Sequence, residues 1–236
     1  MNSKLSASAG KFLSSMVAVI CCTAVSFAQA TLPPIVIPPQ DNSFAVYGGM
    51  GVSLAAAPGL VKYLNTLADP AQQVPDFGTN IEFFGGAEFP VTDQWGGALE
   101  YGYLFKSYTL PNSIAGTYTE FYSVSMPTAM AQYVFSGIGY FIKFGGGLGY
   151  HTGSLEQKDS YGNDITYSTH GIGFKAQAVG QTAFDGHFYG YIGGSMRWEL
   201  LGNLKNGSGT VLQNEGRAAS LSMFVVGVNF GVIYYF

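Results

Sequence analysis

Cysteine is nearly missing from this sequence, and its scarcity removes several kinds of chemistry. The two cysteines, Cys21 and Cys22, are neighbours inside an apolar segment close to the amino terminus. Every residue after them belongs to a thiol-free chain, which excludes disulfide bonds, thiolate catalysis and cysteine-ligated metals there. We expect neither a metal nor a cofactor.

Charge and long apolar runs are also in short supply. Charged residues are 10% of the chain, against roughly 25% in soluble domains. The formal net charge is −4 without a basic cluster, so nucleic acid is not an expected partner. No segment approaches the roughly 18 uninterrupted apolar residues of a membrane-spanning helix. A membrane protein without such helices has to be a closed barrel, because in lipid every backbone N–H and C=O needs an internal partner.

Glycine and aromatic residues are plentiful, and the last stretch shows how they are arranged. Every even position from Phe224 to Phe236 is apolar, and the odd positions include Gly227, Asn229 and Gly231. This period of two predicts a strand with one apolar face. The stretch exceeds the roughly 9–11 residues with which a tilted strand crosses a hydrocarbon layer.

The end of this stretch resembles the closing strand of bacterial outer-membrane β-barrels, and the alternation along the chain resembles that of small barrels of the OmpA and OmpX type. In that family, a terminal Phe preceded by alternating apolar residues is the signal that the barrel-assembly machinery reads. The resemblance implies contact with this machinery during biogenesis, and with outer-membrane lipid and lipopolysaccharide afterwards. The residues that would form the signal are Phe230, Val232, Tyr234 and Phe236.

Seven earlier segments alternate in the same way, and turn residues separate them. Short connections follow the second, fourth and sixth segments and long ones follow the others, as in outer-membrane barrels with both termini in the periplasm. We therefore predict an all-β fold, an eight-stranded antiparallel up-and-down transmembrane β-barrel. A ten-stranded barrel is the alternative, if residues 201–219 hide a hairpin. The predicted strands cover about 43–54, 79–90, 95–106, 120–135, 140–151, 165–183, 187–200 and 221–236.

Local features predict how some connections are built. Residues 59–67 favour a helical turn in the first long connection. Pro127 predicts a bulge within its strand, because proline cannot donate to a ladder. Asp185 and Gly186, between two alternating runs, give the strongest hairpin signal in the chain.

The first residues of the chain predict export. Two lysines precede an apolar run at residues 12–25, and small residues follow it, so that cleavage is expected after Ala28 or Ala30. Four prolines then favour an extended segment. We predict three parts: a signal peptide at 1–30, a Pro-rich periplasmic lead-in at 31–42 and an outer-membrane β-barrel at 43–236.

Charged residues all fall on the strand face opposite to the apolar one. This partition is what a barrel in lipid requires, because a Lys or Arg facing the bilayer midplane costs about 2–4 kcal/mol. Acids on strands two and three are expected to pair with bases on strands five to seven, which predicts a polar plug; a charge-lined ion pathway is the competing interpretation. The predicted lumen network consists of Glu82, Glu88, Glu100, Lys106, Lys143, Lys175, Arg197 and Glu199.

Candidate catalytic residues are few. His151 and His170 lie beside Ser154 and Ser168, but the alternation turns His151 inward and His170 outward, so we expect no dyad. His187 belongs to a turn at the other end. A glycine cluster beginning at Gly145 continues as a strand, whereas a phosphate-binding loop needs a helix after it. We therefore predict no catalytic residues.

Taken together, the residues and the resemblance imply a non-enzymatic protein in the outer membrane of a Gram-negative-type bacterium. Its role would be structural, or would lie in surface interactions through extracellular loops whose partner the sequence does not name. The alternatives are a narrow porin-like channel for small solutes and a barrel enzyme that modifies lipid A. Liposome swelling separates the first alternative, and mass spectrometry of lipid A separates the second.

Overall fold

The computed structural model describes residues 43–112, 116–159, 161, 163–214 and 216–236. The predicted signal peptide and almost all of the lead-in lie outside the described residues. Eight long strands dominate: β1 (Ala45–Ala56), β2 (Phe77–Pro90), β3 (Trp95–Asn112), β4 (Gly116–Gly137), β5 (Tyr140–Lys158), β6 (Asp164–Ala183), β7 (Phe188–Leu201) and β11 (Met223–Tyr235). Between β7 and β11 lie three two-residue strands, β8 (Lys205–Asn206), β9 (Gln213–Asn214) and β10 (Arg217–Ala218).

The long strands form one closed antiparallel ladder, which confirms the predicted eight-stranded up-and-down barrel. Each pairs with its neighbour in the chain, and β11 pairs with both β7 and β1. Closure places Ala45 opposite Tyr235, and the Phe236 N–H donates to the Phe44 carbonyl at 3.0 Å. A closed ladder leaves no free edge, as a strand structure in lipid requires.

The predicted extra hairpin in the last long connection is present only as small ladders outside the barrel wall. The β8 strand pairs with β6, while β9 and β10 pair with each other. Each is too short to cross a bilayer, so the ten-stranded alternative is wrong.

Three strands extend further than the sequence predicts. The strand β3 continues to Asn112, β4 begins at Gly116 and β5 continues to Lys158, whereas β6 begins at Asp164, within one residue of the prediction. The prediction ended these strands where apolar alternation ended. A hairpin projecting beyond the membrane needs only its backbone hydrogen bonds, so polar and mixed sequence continues the same ladder.

The structure differs from the sequence prediction at one predicted bulge and at one predicted turn. Pro127 makes no bulge: its strand keeps one register with β5 on both sides of it, and the ladder merely lacks pairs near the proline. The Asp185–Gly186 hairpin exists, but Gly186 has no positive φ. The Asp185 carboxylate instead accepts hydrogen bonds from the backbone N–H groups of His187 and Phe188, at 2.8 and 2.7 Å.

A helix, α1 (Pro58–Leu67), follows β1 and covers the end of the barrel that carries the long connections. Its first residue is a proline, which suits an N-terminal turn because no helical N–H is lost there. Leu60, Val61, Tyr63 and Leu64 are buried on its inner face. Within the described residues, no helix is long and apolar enough to cross a membrane.

Candidate functional site: the filled lumen

The barrel wall separates an apolar exterior from a polar interior. Large apolar side chains on the outer face are exposed along every long strand; Phe83, Leu99 and Phe144 are examples. The four residues of the predicted assembly signal, Phe230, Val232, Tyr234 and Phe236, belong to this outer face. Side chains at the alternate positions fill the lumen, and chemistry inside the barrel depends on them.

Acids of β2 and β3 meet bases of β5, β6 and β7 at the centre of the lumen. Lys175 Nζ lies 2.6 and 2.7 Å from the two carboxylate oxygens of Glu100. Arg197 Nη2 lies 2.5 Å from Glu82 Oε1 and 2.9 Å from Glu100 Oε1. Lys175 is 3% exposed and Arg197 1%. Pairing is necessary at this depth, because a lone buried charge is strongly destabilising.

A second ion pair lies nearer the end with the short turns. Lys143 contacts the carboxylate of Glu88 and donates to the Tyr235 hydroxyl at 2.9 Å. Tyr235 donates in turn to Gln181 Oε1 at 2.6 Å. The cavity beside this pair has a volume of only about 10 Å³, so at most about one water molecule fits there.

A layer of apolar and aromatic side chains closes this same end. Tyr47 stacks on Tyr191 with ring centroids 6.0 Å apart, and Tyr191 contacts Phe84 at 5.4 Å. Phe141 packs against Tyr235 at 5.6 Å. Tyr47 also donates to Glu100 at 3.2 Å, which ties the aromatic layer to the central ion pairs.

His151 forms a third polar cluster, which the sequence did not predict. Its Nδ1 lies 2.5 Å from Glu199 Oε2, and its Nε2 lies 3.2 Å from the Thr128 hydroxyl. The Thr128 hydroxyl donates to the Met126 carbonyl at 3.2 Å. Hydroxyl, imidazole and carboxylate in this order are the components of a nucleophile–base–acid triad. All three side chains are nevertheless buried inside the lumen, and the hydroxyl proton is engaged by Met126.

The lumen beyond His151 is apolar and capped. Side chains from the barrel wall, α1 and the last long connection form one buried cluster. Sequence alternation identified the wall residues, but nothing in it indicated that α1 would cover them. Its members include Leu64, Met126, Leu155, Leu204 and Leu221.

Two charged residues near the cap, Lys106 and Glu120, take no part in the ion pairs that the described residues form. Lys106, predicted to join the network, is only half-buried, and its Nζ lies 4.6 Å from the Tyr108 ring centroid. This part of the prediction is wrong, because Lys106 lies above the central layer on the extended part of β3. Partial burial lowers the Lys106 pKa. Glu120 is fully buried on β4, opposite Gln157 of β5.

Burial favours the protonated form of the Glu120 carboxyl. It lies in the part of β4 that extends past the apolar band, and burial raises its pKa to about 8. A hydrogen bond from Gln157 opposes the shift only in part. Tyr63 of α1 is close enough for a Glu120 charge to raise the tyrosine pKa, after the larger effect of burial.

The remaining histidines and potential metal ligands form no second centre. His170 is exposed on the outer wall, where its ring lies 5.7 Å from that of Tyr150, and His187 bonds to the Tyr235 carbonyl at 3.0 Å. Among the residues that the structure describes, no group of three or more His, Cys, Asp or Glu side chains is placed to bind a metal ion.

Comparison with models of known families gives no match. Comparison with curated sequences gives no relative. Solved structures do resemble the chain. Neisserial surface protein A is 12% identical with a TM-score of 0.50, covering 82% of this chain and 97% of that one. The attachment invasion locus protein Ail of Yersinia pestis, in complex with the heparin analogue sucrose octasulfate, is 14% identical with a TM-score of 0.48, covering 84% and 100%. The Escherichia coli outer membrane protease OmpT is 9% identical with a TM-score of 0.43, covering 83% and 97%.

At these identities the likeness concerns the fold. The closed ladder and the resemblance to Neisserial surface protein A therefore give this chain the fold of the small eight-stranded outer-membrane β-barrels.

Proposed function

We propose that the protein is a non-enzymatic outer-membrane barrel with a plugged lumen, and that its role is structural or lies in surface contacts through the extracellular ends of its strands. The observation that carries this proposal is the filling of the lumen. Aromatic side chains, ion pairs and an apolar cap succeed one another along the barrel axis. An eight-stranded barrel has an interior that side chains just fill.

The orientation follows from the connections. The barrel ends at Ala45 and Tyr235 lie at the same rim as the short turns, and the long extensions and α1 lie at the other. Outer-membrane barrels have short periplasmic turns and longer extracellular loops. We therefore assign the termini to the periplasm and the capped end to the cell exterior. The outer apolar wall contacts membrane lipid, and the assembly machinery would read the strand that ends at Phe236.

Planar-bilayer recording tests the plug directly. The wild-type protein should show little steady conductance, whereas Arg197→Ala should raise it, because the substitution removes the side chain that joins Glu82 to Glu100. Lys158→Ala is the matched control, since Lys158 pairs with Asp164 outside the barrel at 3.4 Å with more than half of each side chain exposed. Large constant pores in the wild-type protein would contradict the proposal.

A narrow channel is the second candidate, and one observation favours it. Arg197 Nε and Nη1, Glu199 Oε1 and Asn229 Oδ1 are buried without a hydrogen-bond partner in the described protein. Buried polar atoms of this kind are commonly satisfied by internal water, and connected waters would make a path. Liposomes that contain the wild-type protein would be diluted into small sugars or amino acids. Swelling at the rate given by an open porin would support the channel and reject the plug.

A further inference from the structure

A polar region lies on the outer wall, outside the lumen site. Strands β4, β5 and β6 turn small polar side chains outward in two cross-strand rows. One row is Ser123, Ser154 and Ser168; the other is Ser125, Thr152 and His170. We call these six residues the hydroxyl patch.

The position of the hydroxyl patch relative to the apolar band is fixed by the register. The next outward row towards the periplasmic rim contains Pro127, Tyr150 and Ile172, and the row after it contains Leu148 and Phe174. These side chains are exposed on the lipid-facing wall. The hydroxyl patch therefore begins one row beyond the aromatic edge of the apolar band, at the depth of lipid headgroups.

The hydroxyl patch is concave. Its six side chains, with Gly153 and Thr169, line an open hollow of about 300 Å³, which lies at the lower end of the roughly 300–1,000 Å³ range of ligand sites. Gly153 forms part of its floor, and a Cβ there would point into the lumen, 3.0 Å from Leu221 and 3.2 Å from Leu201. The outward side chains of the lining are mostly serines and a threonine, whose small size leaves room for a ligand group.

Some side chains around the hollow are fixed by hydrogen bonds, and others are exposed and can bond to a ligand. The hydroxyls of Ser123 and Ser154 are 3.1 Å apart, and the Tyr101 hydroxyl donates to Ser125 at 3.0 Å. Thr152, Ser168 and His170 are exposed. Hydroxyls both donate and accept, so this lining matches a ligand that carries many hydroxyls.

The neighbouring apolar band defines the rest of the ligand. A molecule seated in the hollow continues over exposed Ile172, Leu148 and Phe174, which favours an amphiphile with acyl chains below its polar head. The lining contains no Lys or Arg, which favours sugar hydroxyls over a phosphate as the group in the hollow. We propose that the hydroxyl patch binds the saccharide headgroup of a glycolipid in the outer leaflet; this rests on the proposed outer-membrane location.

Binding can be measured on the refolded full chain. Bicelles of phosphatidylcholine would contain either rough-type lipopolysaccharide or phosphatidylglycerol as the probe, and native mass spectrometry after dilution would count retained lipid. The wild-type protein should retain lipopolysaccharide in preference to phosphatidylglycerol. Ser154→Leu with Ser168→Leu fills the hollow and should weaken retention by about thirtyfold, since two hydrogen bonds of about 1 kcal/mol each are lost.

Thr79→Leu is the matched control, because Thr79 is an exposed residue on β2 with its side chain on the outer face, outside the patch. Heat-modifiable mobility on gels confirms that each variant is folded. Equal retention by the wild type and the double variant would overturn the proposal, as would equal retention of the two lipids. Conductance of the wild type is a separate readout. Open pores would reject the plugged lumen, whereas the lipid retention would still decide whether the hydroxyl patch binds a glycolipid.

Discussion

Nδ1 of His151 lies 2.5 Å from Oε2 of Glu199, although 48 residues separate the two in the chain. Nε2 of His151 lies 3.2 Å from the Thr128 hydroxyl, which also donates to the Met126 carbonyl. His151 therefore links Glu199 of β7 to Thr128 of β4 through its two ring nitrogens. In the same lumen Lys143 contacts Glu88, Lys175 contacts Glu100 and Arg197 contacts Glu82.

Glu199→Ala should destabilise the barrel because it removes the carboxylate that contacts Nδ1 of the buried His151. Leaving a buried polar group without its partner costs about 1–3 kcal/mol. The urea midpoint in bicelles should fall accordingly. Lys62→Ala, at an exposed position of α1, is the control and should leave the midpoint unchanged. An unchanged midpoint for Glu199→Ala would show that the contact with His151 does not stabilise the barrel.

Gly173→Ala should destabilise the barrel because His151 and Glu199 occupy the space that a side chain would need. A Cβ at Gly173 would lie 2.1 Å from His151 Nδ1 and 2.5 Å from Glu199 Oε2. Overpacking of this kind costs about 1–3 kcal/mol. The urea midpoint in bicelles should fall accordingly. Gly146→Ala is the control, since its Cβ would approach nothing closer than the Lys175 carbonyl at 3.9 Å; equal losses would refute the packing argument.

Glu120→Gln should remove a pH dependence of stability. The Glu120 pKa is about 8 in the folded protein, against an ordinary 4.5. Between these values the folded state keeps a proton that the unfolded chain releases, so the Glu120 contribution is fully present below pH 4.5 and is lost as the pH rises through about 8. The free energy of unfolding should fall by up to about 1.4 kcal/mol per pH unit in this window. Urea titrations at pH 5 and 8 should show a smaller change in the free energy of unfolding for Glu120→Gln than for the wild type. The same change in both proteins would show that Glu120 is ionised when folded.

Leu64→Ala should loosen the cap without opening the lumen. Leu64 is fully buried on α1, and truncating a buried leucine costs about 2–5 kcal/mol. Hydrogen exchange of α1 amides should accelerate, while planar-bilayer conductance should stay at the wild-type level, because the ion pairs below remain intact. Lys62→Ala, at an exposed position of the same helix, should leave exchange unchanged. If Leu64→Ala conducted ions, the cap and not the ion pairs would be what closes the lumen.

The alternation of side chains predicted the barrel because lipid imposes it locally. A strand that crosses a bilayer needs one apolar face, and this requirement can be read at Phe224–Phe236 or on any other single strand. The same parity assigned Glu100, Lys175 and Arg197 to the inner face, and the structure places these three in contact. Beyond the membrane the requirement disappears, which explains why strand ends such as Asn112 and Lys158 were missed.

Parity also had no means of separating Lys106 from its neighbours. It assigns a face but not a height, and Lys106 lies above the layer in which Glu82 and Glu100 pair with Arg197. The His151 cluster was missed for a related reason. Its members come from β4, β5 and β7, and their meeting depends on the tilt and stagger of the strands in the closed barrel.

The sequence by itself determined the eight strands, the face that meets lipid and the set of charges turned away from it, because each follows from a two-residue period within a single strand. Only the tertiary structure decided which charges meet, that His151 contacts Glu199 and Thr128, and that α1 covers the end that carries the long connections. Those outcomes depend on how far each strand is displaced along its neighbour when the ladder closes, a distance that no single strand encodes.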